Sequence, residues 1–558
     1  MSPVPPADAD RARVPVTDSS VKDGFAPPVW GERIVVERRG GVPLRVYSAR
    51  PRRLSEVLAL AGRWGPRRHV VQGSREVSFH DLAAGVGRKA LRLAECGIAA
   101  GDRVLVLGWN SPDWIINFWA CQQLGAVPAL ANAWWSEAEI LEAVDLLQPV
   151  AALADDRSAA KLPSACRRPD WETDTSAGAP FIIGPAKESP STTDEDDPAV
   201  IIFTSGTGGR PKAVELSHRS LLANLQMLLR LTRRLPHQVD VRSGETMLHT
   251  GPFFHVGGPQ TLLRSAVVGN TLILPTGRFD PAELLELIDQ HGITRWSAVP
   301  TMVTRLLDHP DFQMRDLSSL RALTIGGAPV HAELLERIGR ELPGVQAGVP
   351  TGYGLTENGG QATAASGRDT LERPGSAGKP LPCVEIRLQP RQELPDPEVL
   401  IRSPTQMTRY IGVSESPIDG DGWLHTGDLG RVDDQGHLWI TGRAKDLIIR
   451  GGENIAPASV ERAIASIQGV IETAVVGVPH PDLGEEVCAF VVVADGRLTG
   501  EALSRQLRGQ LASFSVPTVW HLQQEPLPTN QTGKIDKPTL VARACASPAS
   551  PARAEPER

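Results

Sequence analysis

The stretch Thr204–Val214, TSGTGGRPKAV, decides how the rest of the chain is read. It follows AVIIFT (Ala199–Thr204), an apolar run whose length and composition predict a buried strand. The stretch looks like a phosphate loop, yet it fails the usual test for one. The common nucleotide-triphosphatase loop needs G-x-x-x-x-G-K followed by Ser or Thr. Here Gly206 is followed five positions later by Pro211, then by Lys212 and Ala213, so the second glycine and the final hydroxyl are missing. The chemistry still suits an anion. Ser205, Thr207 and the backbone of Gly206, Gly208 and Gly209 offer small donors in a row. Glycines let a backbone approach an anion closely, consecutive N–H groups form a nest, and Lys212 adds a point charge. A flexible surface turn with a few hydroxyls fits these residues equally well.

The bulk of the chain narrows the choice. Its 558 residues suggest more than one domain, and 41% hydrophobic with 22% charged residues is an ordinary globular composition. A formal net charge of −7 argues against a nucleic-acid partner. Six cysteines (Cys96, Cys121, Cys166, Cys383, Cys488 and Cys545) are scattered, with neither metal-ligand spacing nor a disulfide framework. The start, MSPVPPADADRARVPV, has no apolar core of signal-peptide length, and no apolar run is long enough for an integral membrane segment. The expected location is cytoplasmic.

Residues 1–27 and 544–558 read as disordered or surface tails. Between them, strand-like runs alternate with amphipathic segments. RVLVLG (Arg103–Gly108) predicts a buried strand, and DWIINFWACQQLG (Asp113–Gly125) a helix ending at glycine. LRALTIGGAP (Leu320–Pro329) predicts a strand entering a glycine turn. This alternation implies a large α/β body. After about Arg387 the runs shorten and the turns tighten, and a smaller α+β domain is expected to begin near Thr441–Asp446.

The opening loop resembles T-S-G-S/T-T-G-x-P-K-G of the adenylate-forming superfamily, which includes acyl-CoA synthetases, adenylation domains of peptide synthetases, and luciferases. Other motifs follow in that family's order. GYGLTE (Gly352–Glu357) resembles Y-G-x-T-E, which implies Tyr353 and Gly354 at adenine, Thr356 at the α-phosphate and Glu357 on Mg2+. GGAP (Gly326, Gly327, Ala328, Pro329) resembles the loop on the other side of adenine. GWLHTGD (Gly422–Asp428) resembles W-x-x-T-G-D, making Asp428 the ribose anchor. GRAKDLIIRGGENIAPASVE (Gly442–Glu461) implies Arg443 on ribose or phosphate, Lys445 as hinge, and Gly451 and Gly452 beside the pantetheine arm of coenzyme A. LPTNQTGKIDK (Leu527–Lys537) resembles the C-terminal lysine motif, with Lys534 as the catalytic lysine. GPFFHVGG (Gly251–Gly258) resembles the aromatic-histidine motif, so Phe254, His255 and Gly258, with Gly326 and Gly352, are expected at the substrate pocket. For His255, a core histidine with a satisfied hydrogen bond is an equal reading.

The resemblance spans roughly residues 50 to 543 and most resembles the fatty-acyl and aryl-CoA ligases. It implies a large N-terminal α/β domain (28–444) that binds ATP and acid, and a small mobile α+β C-terminal domain (445–543). It further implies that ATP, with Mg2+, activates a small carboxylic acid to an acyl-adenylate with release of pyrophosphate. Coenzyme A then takes the acyl group. The alternatives are an acyl-AMP ligase serving a carrier protein or a separate thiolating partner, and a degenerate, non-catalytic nucleotide-binding or acyl-binding protein. Thr204 to Gly209 and Lys212 would hold the departing phosphates. Four positions depart from the family pattern: Gly208, Ala213, Ser459, and Arg409 in MTRY, where a glycine is usual. Ala213 is expected to stiffen the loop or narrow its approach.

Overall fold

The computed structural model describes residues 30–164, 166–173, 194–204, 212–240, 242, 244–326, 332–345, 350–392, 394–494, 498–530 and 534–546. Ser205, Gly206, Thr207, Gly208 and Gly209, and likewise Gly327, Ala328 and Pro329, lie outside the described residues.

A large N-terminal domain is built on two six-stranded sheets. In the first, the strands run in the order Arg409–Ile411, Lys212–Ser217, Pro198–Thr204, Val127–Ala131, Arg103–Leu107 and Ala151–Ala154. The last four are mutually parallel, and the first two add antiparallel strands at one edge. In the second sheet, Ala322–Ile325, Arg295–Ala298, Thr246–His249, Thr271–Ile273 and Arg68–Gln72 are parallel, and Arg75–Ser78 closes the edge.

Strand alternation explains the layering. Val104 and Val106 point into one core and Leu105 and Leu107 into another, as a period of two demands. The first core also takes Met247 and Leu272 of the second sheet, so it lies between the two sheets. The helix Pro112–Leu124 occupies that space. Eleven of its thirteen residues are buried, so no polar face is required of it. Ser111 caps its start, accepting from Trp114 N at 3.1 Å, and Gly125 ends it in the left-handed conformation. Helices Glu137–Leu147 and Pro281–His291 cover the outer faces.

The antiparallel sheet Glu385–Gln389, Glu398–Arg402, Leu424–Val432 and Leu438–Arg443 follows. A short 3-10 turn, Ala444–Asp446, then leads into the small C-terminal domain. That domain has a five-stranded sheet centred on Gly484–Val493, with helix Pro457–Ala465 packed on its Val470–His480 strand. No helix among the described residues is long and apolar enough to cross a membrane.

Candidate active site

Thr204 and Lys212, the described residues on either side of the opening loop, pair across antiparallel strands. Ala213 belongs to the strand. It is buried, paired with both Phe203 and Ile411, and its side chain joins theirs in the core on one face of the sheet.

Strands Leu424–Val432 and Leu438–Arg443 place Asp428 directly opposite Arg443. Arg443 Nε donates to Asp428 Oδ1 at 2.5 Å, and the Tyr353 hydroxyl donates to Oδ2 at 2.5 Å. Asp428 is buried, and these two donors offset the desolvation of its charge. Tyr353 N–H is held by Thr363 Oγ1 at 3.1 Å. Burial, then the Asp428 charge, raise the Tyr353 phenol well above its ordinary value, so it remains a donor.

Lys534 comes to the same place from the C-terminal domain. Desolvation and the Arg443 cation lower its pKa, and Asp428 opposes them. Lys534 as a residue is exposed, while its ammonium is partly desolvated beside Arg443. The same ammonium acts on His255, whose pKa burial and then Lys534 lower to about 4. His255 is therefore neutral near pH 7.

The Thr356–Asn358 turn carries Glu357, whose backbone carbonyl accepts from Met407 N at 2.8 Å. Its Oε1 accepts from the Tyr410 hydroxyl at 2.8 Å. Lys212 Nζ stands 4.7 Å from the centroid of the same tyrosine ring. Arg443 acts electrostatically on Tyr410 as well as on Lys534, which joins the Glu357 and Asp428 sides into one neighbourhood.

Beyond His255 the surroundings turn apolar. Phe254 packs edge-on to Trp134 at 5.5 Å between centroids, and Trp134 edge-on to Trp109 at 4.7 Å. Asn110 clamps this loop: its Nδ2 donates to Gly251 O at 2.7 Å, and its Oδ1 accepts from Phe253 N at 2.8 Å. Gly326, at the end of Ala322–Ile325, faces open space: a Cβ there would meet nothing within 4 Å. Gly258, Gly352 and Gly354 are glycines for a different reason. A Cβ would overlap the carbonyls of Phe253, Thr363 and Gly360 respectively.

Lys445 is exposed on the turn joining the third sheet to the C-terminal domain. Gly451 and Gly452 form the two-residue turn between paired Arg450 and Glu453, with φ of 59° and 88°. That turn needs left-handed backbone at both positions, which accounts for the glycines without any ligand. Sequence reasoning missed Tyr410, the Asn110 clamp, and the partner of Arg409, which is Glu215. Tyrosine scarcity was a usable signal: of three in the chain, Tyr353 and Tyr410 each donate to a carboxylate of this site.

Residues 59–411 match the model of the AMP-binding enzyme family, and residues 459–534 that of the AMP-binding enzyme C-terminal domain. The chain is 34% identical over 490 residues to a feruloyl-CoA synthase of an Amycolatopsis species, covering 84% of this chain and 94% of that protein. It is 32% identical over 495 residues to a Mycobacterium tuberculosis CoA ligase for a methyl-dioxo-octahydroindenyl propanoyl group, covering 84% and 94%. Among solved structures it resembles the o-succinylbenzoate CoA synthetase of Bacillus subtilis. In complex with the acyl-adenylate intermediate, that structure gives a TM-score of 0.72 at 27% identity, covering 87% of this chain and 97% of that one. In complex with ATP and magnesium ion it gives 0.70 at 28%, covering 86% and 98%.

The chain belongs to the AMP-binding enzyme family, and its two-domain architecture is that of the adenylate-forming enzymes. Within that family it is an AMP-forming acid–thiol ligase of the acyl-CoA synthetase kind.

Proposed function

We propose that the chain joins a carboxylic acid with an aromatic or polycyclic apolar body to coenzyme A, in two half-reactions at one site. The observation that carries this reading is the convergence of Tyr353, Asp428, Arg443 and the Lys534 ammonium, with neutral His255 and its aromatic neighbours on the far side.

In the first step a carboxylate oxygen attacks the α-phosphorus of ATP. The bond from that phosphorus to the bridging oxygen breaks, and pyrophosphate leaves with the electron pair. Lys534 neutralises charge where the two anions meet, and its pKa is lowered by desolvation first and by the Arg443 cation second. Asp428 accepts from the ribose hydroxyls through lone pairs left beside Tyr353 and Arg443. Lys212 and the opening loop hold the departing phosphates.

Glu357 suits magnesium, which takes one or two carboxylates and completes its shell with phosphate oxygens and water. Tyr410 occupies Oε1 of Glu357, and no group of three His, Cys, Asp or Glu among the described residues could hold a metal alone. Magnesium would accordingly enter with ATP, where it neutralises phosphate charge.

In the second step the thiol sulfur attacks the acyl carbon, the bond to AMP oxygen breaks, and the thiol proton passes to solvent. We place the working boundary at Lys445, with residues 28–444 as the ATP- and acyl-binding body and 445–543 as the moving domain. The exposed turn Ala444–Asp446 between two sheets supports a hinge there. Six free cysteines favour a reducing cytoplasm; cell fractionation with a thiol-redox marker checks that placement.

The test is ATP–pyrophosphate exchange across a panel of aromatic, polycyclic and straight-chain acids, followed by mass detection of acyl-CoA. The reading predicts exchange with at least one bulky apolar acid, and acyl-CoA only when coenzyme A is present. Exchange without acyl-CoA would instead favour an acyl-AMP ligase, and no exchange with any acid would sink the enzymatic reading.

A further inference from the structure

Tyr410 ties together two groups assigned above to the triphosphate. Its hydroxyl donates to Glu357 Oε1 at 2.8 Å, and its ring face receives the Lys212 ammonium at 4.7 Å. Lys212 and Tyr410 lie on adjacent antiparallel strands, with Tyr410 opposite Val214. Residues 212 and 214 share a face, so the lysine and the tyrosine ring meet on the inner side of the sheet.

The outer side of the same pairing is locked by a different contact. Arg409 lies opposite Glu215, and its guanidinium grips the buried carboxylate through two bonds, Nε to Oε1 at 3.0 Å and Nη2 to Oε2 at 3.1 Å. Thr408 N adds a bond to the Glu215 carbonyl at 2.9 Å. A one-residue slip of this edge strand would turn Tyr410 to the wrong face. The bidentate pair opposes that slip, which gives the departure from glycine at position 409 a structural purpose.

We propose that Tyr410 is a positioning residue that holds the Lys212 ammonium and the Glu357 carboxylate at a fixed separation, so that both engage one triphosphate. Arg409 and Glu215 fix the register on which this depends. The inference rests on the ligase reading above. It concerns only the β- and γ-phosphates, which AMP lacks.

Calorimetric titration of the full chain with AMP and with the magnesium complex of α,β-methylene ATP separates this role from a merely structural one. Tyr410→Phe keeps the ring and removes the hydroxyl. It is expected to weaken the ATP analogue about fivefold, with AMP affinity and melting temperature within error of wild type. Tyr410→Leu removes both contacts and is expected to weaken the analogue about twentyfold, again sparing AMP. Parallel loss of both ligands, or no loss of either, in the phenylalanine variant overturns the proposal, and that variant decides even if the leucine variant does not fold. A wild-type chain that binds neither nucleotide would overturn the ligase reading itself, and the positioning role with it.

Discussion

The sides of the cleft proposed for the nucleotide and for the acid are built on opposite principles. On the nucleotide side, charges are kept and paired. Asp428 holds Tyr353 and Arg443, and Glu357 holds Tyr410. On the acyl side, ionisable rings are kept neutral. His255, like His249 stacked on Phe253 at 4.5 Å, has its pKa lowered to about 4 by burial above all. The difference matches the two ligands. A polyphosphate and a ribose need fixed charges and donors, whereas an apolar acid needs a pocket in which no charge must be desolvated.

Breaking the charged side has the larger effect. Asp428→Ala leaves the Tyr353 hydroxyl and Arg443 without their shared acceptor. Losing two charge-assisted hydrogen bonds to the ribose, at roughly 1.5 kcal/mol each, should lower kcat/KM for ATP about a hundredfold. Steady-state kinetics at saturating acid checks this; a loss under fivefold would mean that Asp428 is no anchor.

The neutral side is sharpened by pH. His69, His218, His249 and His255 all have folded-state pKa values of about 4 against an ordinary 6.5. Between those values the unfolded chain binds more protons than the folded one. Stability is therefore full above pH 6.5 and is lost as pH falls toward 4. His249 Nε2 is buried and has no hydrogen-bond partner among the described residues, so His249→Phe removes one titrating ring without orphaning a partner there. Urea unfolding from pH 6 to 4.5 should become shallower in pH by about 1 kcal/mol per pH unit in that variant. An unchanged slope would mean that His249 is already solvated.

Much of this was legible in the sequence because it is local. AVIIFT, RVLVLG and DWIINFWACQQLG carry their own periodicity, and the observed strands Pro198–Thr204 and Arg103–Leu107 and helix Pro112–Leu124 lie within two residues of them. The family motifs named Tyr353, Asp428, Arg443 and Lys534, and the fold brings them into one neighbourhood although they span 181 positions, from 353 to 534. The remainder was hidden because it depends on pairing between distant strands. Nothing in MTRY says that Arg409 meets Glu215, 194 positions away. Gly451 and Gly452 show a local requirement the motif did not reveal. Read as room for a ligand arm, they are already required by the hairpin turn.

Measuring both half-reactions on Lys534→Ala decides whether one cleft performs adenylation with Lys534 and then thiolation by domain movement. The account predicts that ATP–pyrophosphate exchange falls at least about a thousandfold, while thiolation of a chemically prepared acyl-adenylate by coenzyme A stays within about threefold of wild type. Lys445→Pro, in the same assay, should give the mirror image. Equal loss of both steps in Lys534→Ala, or exchange that survives it, would contradict the account.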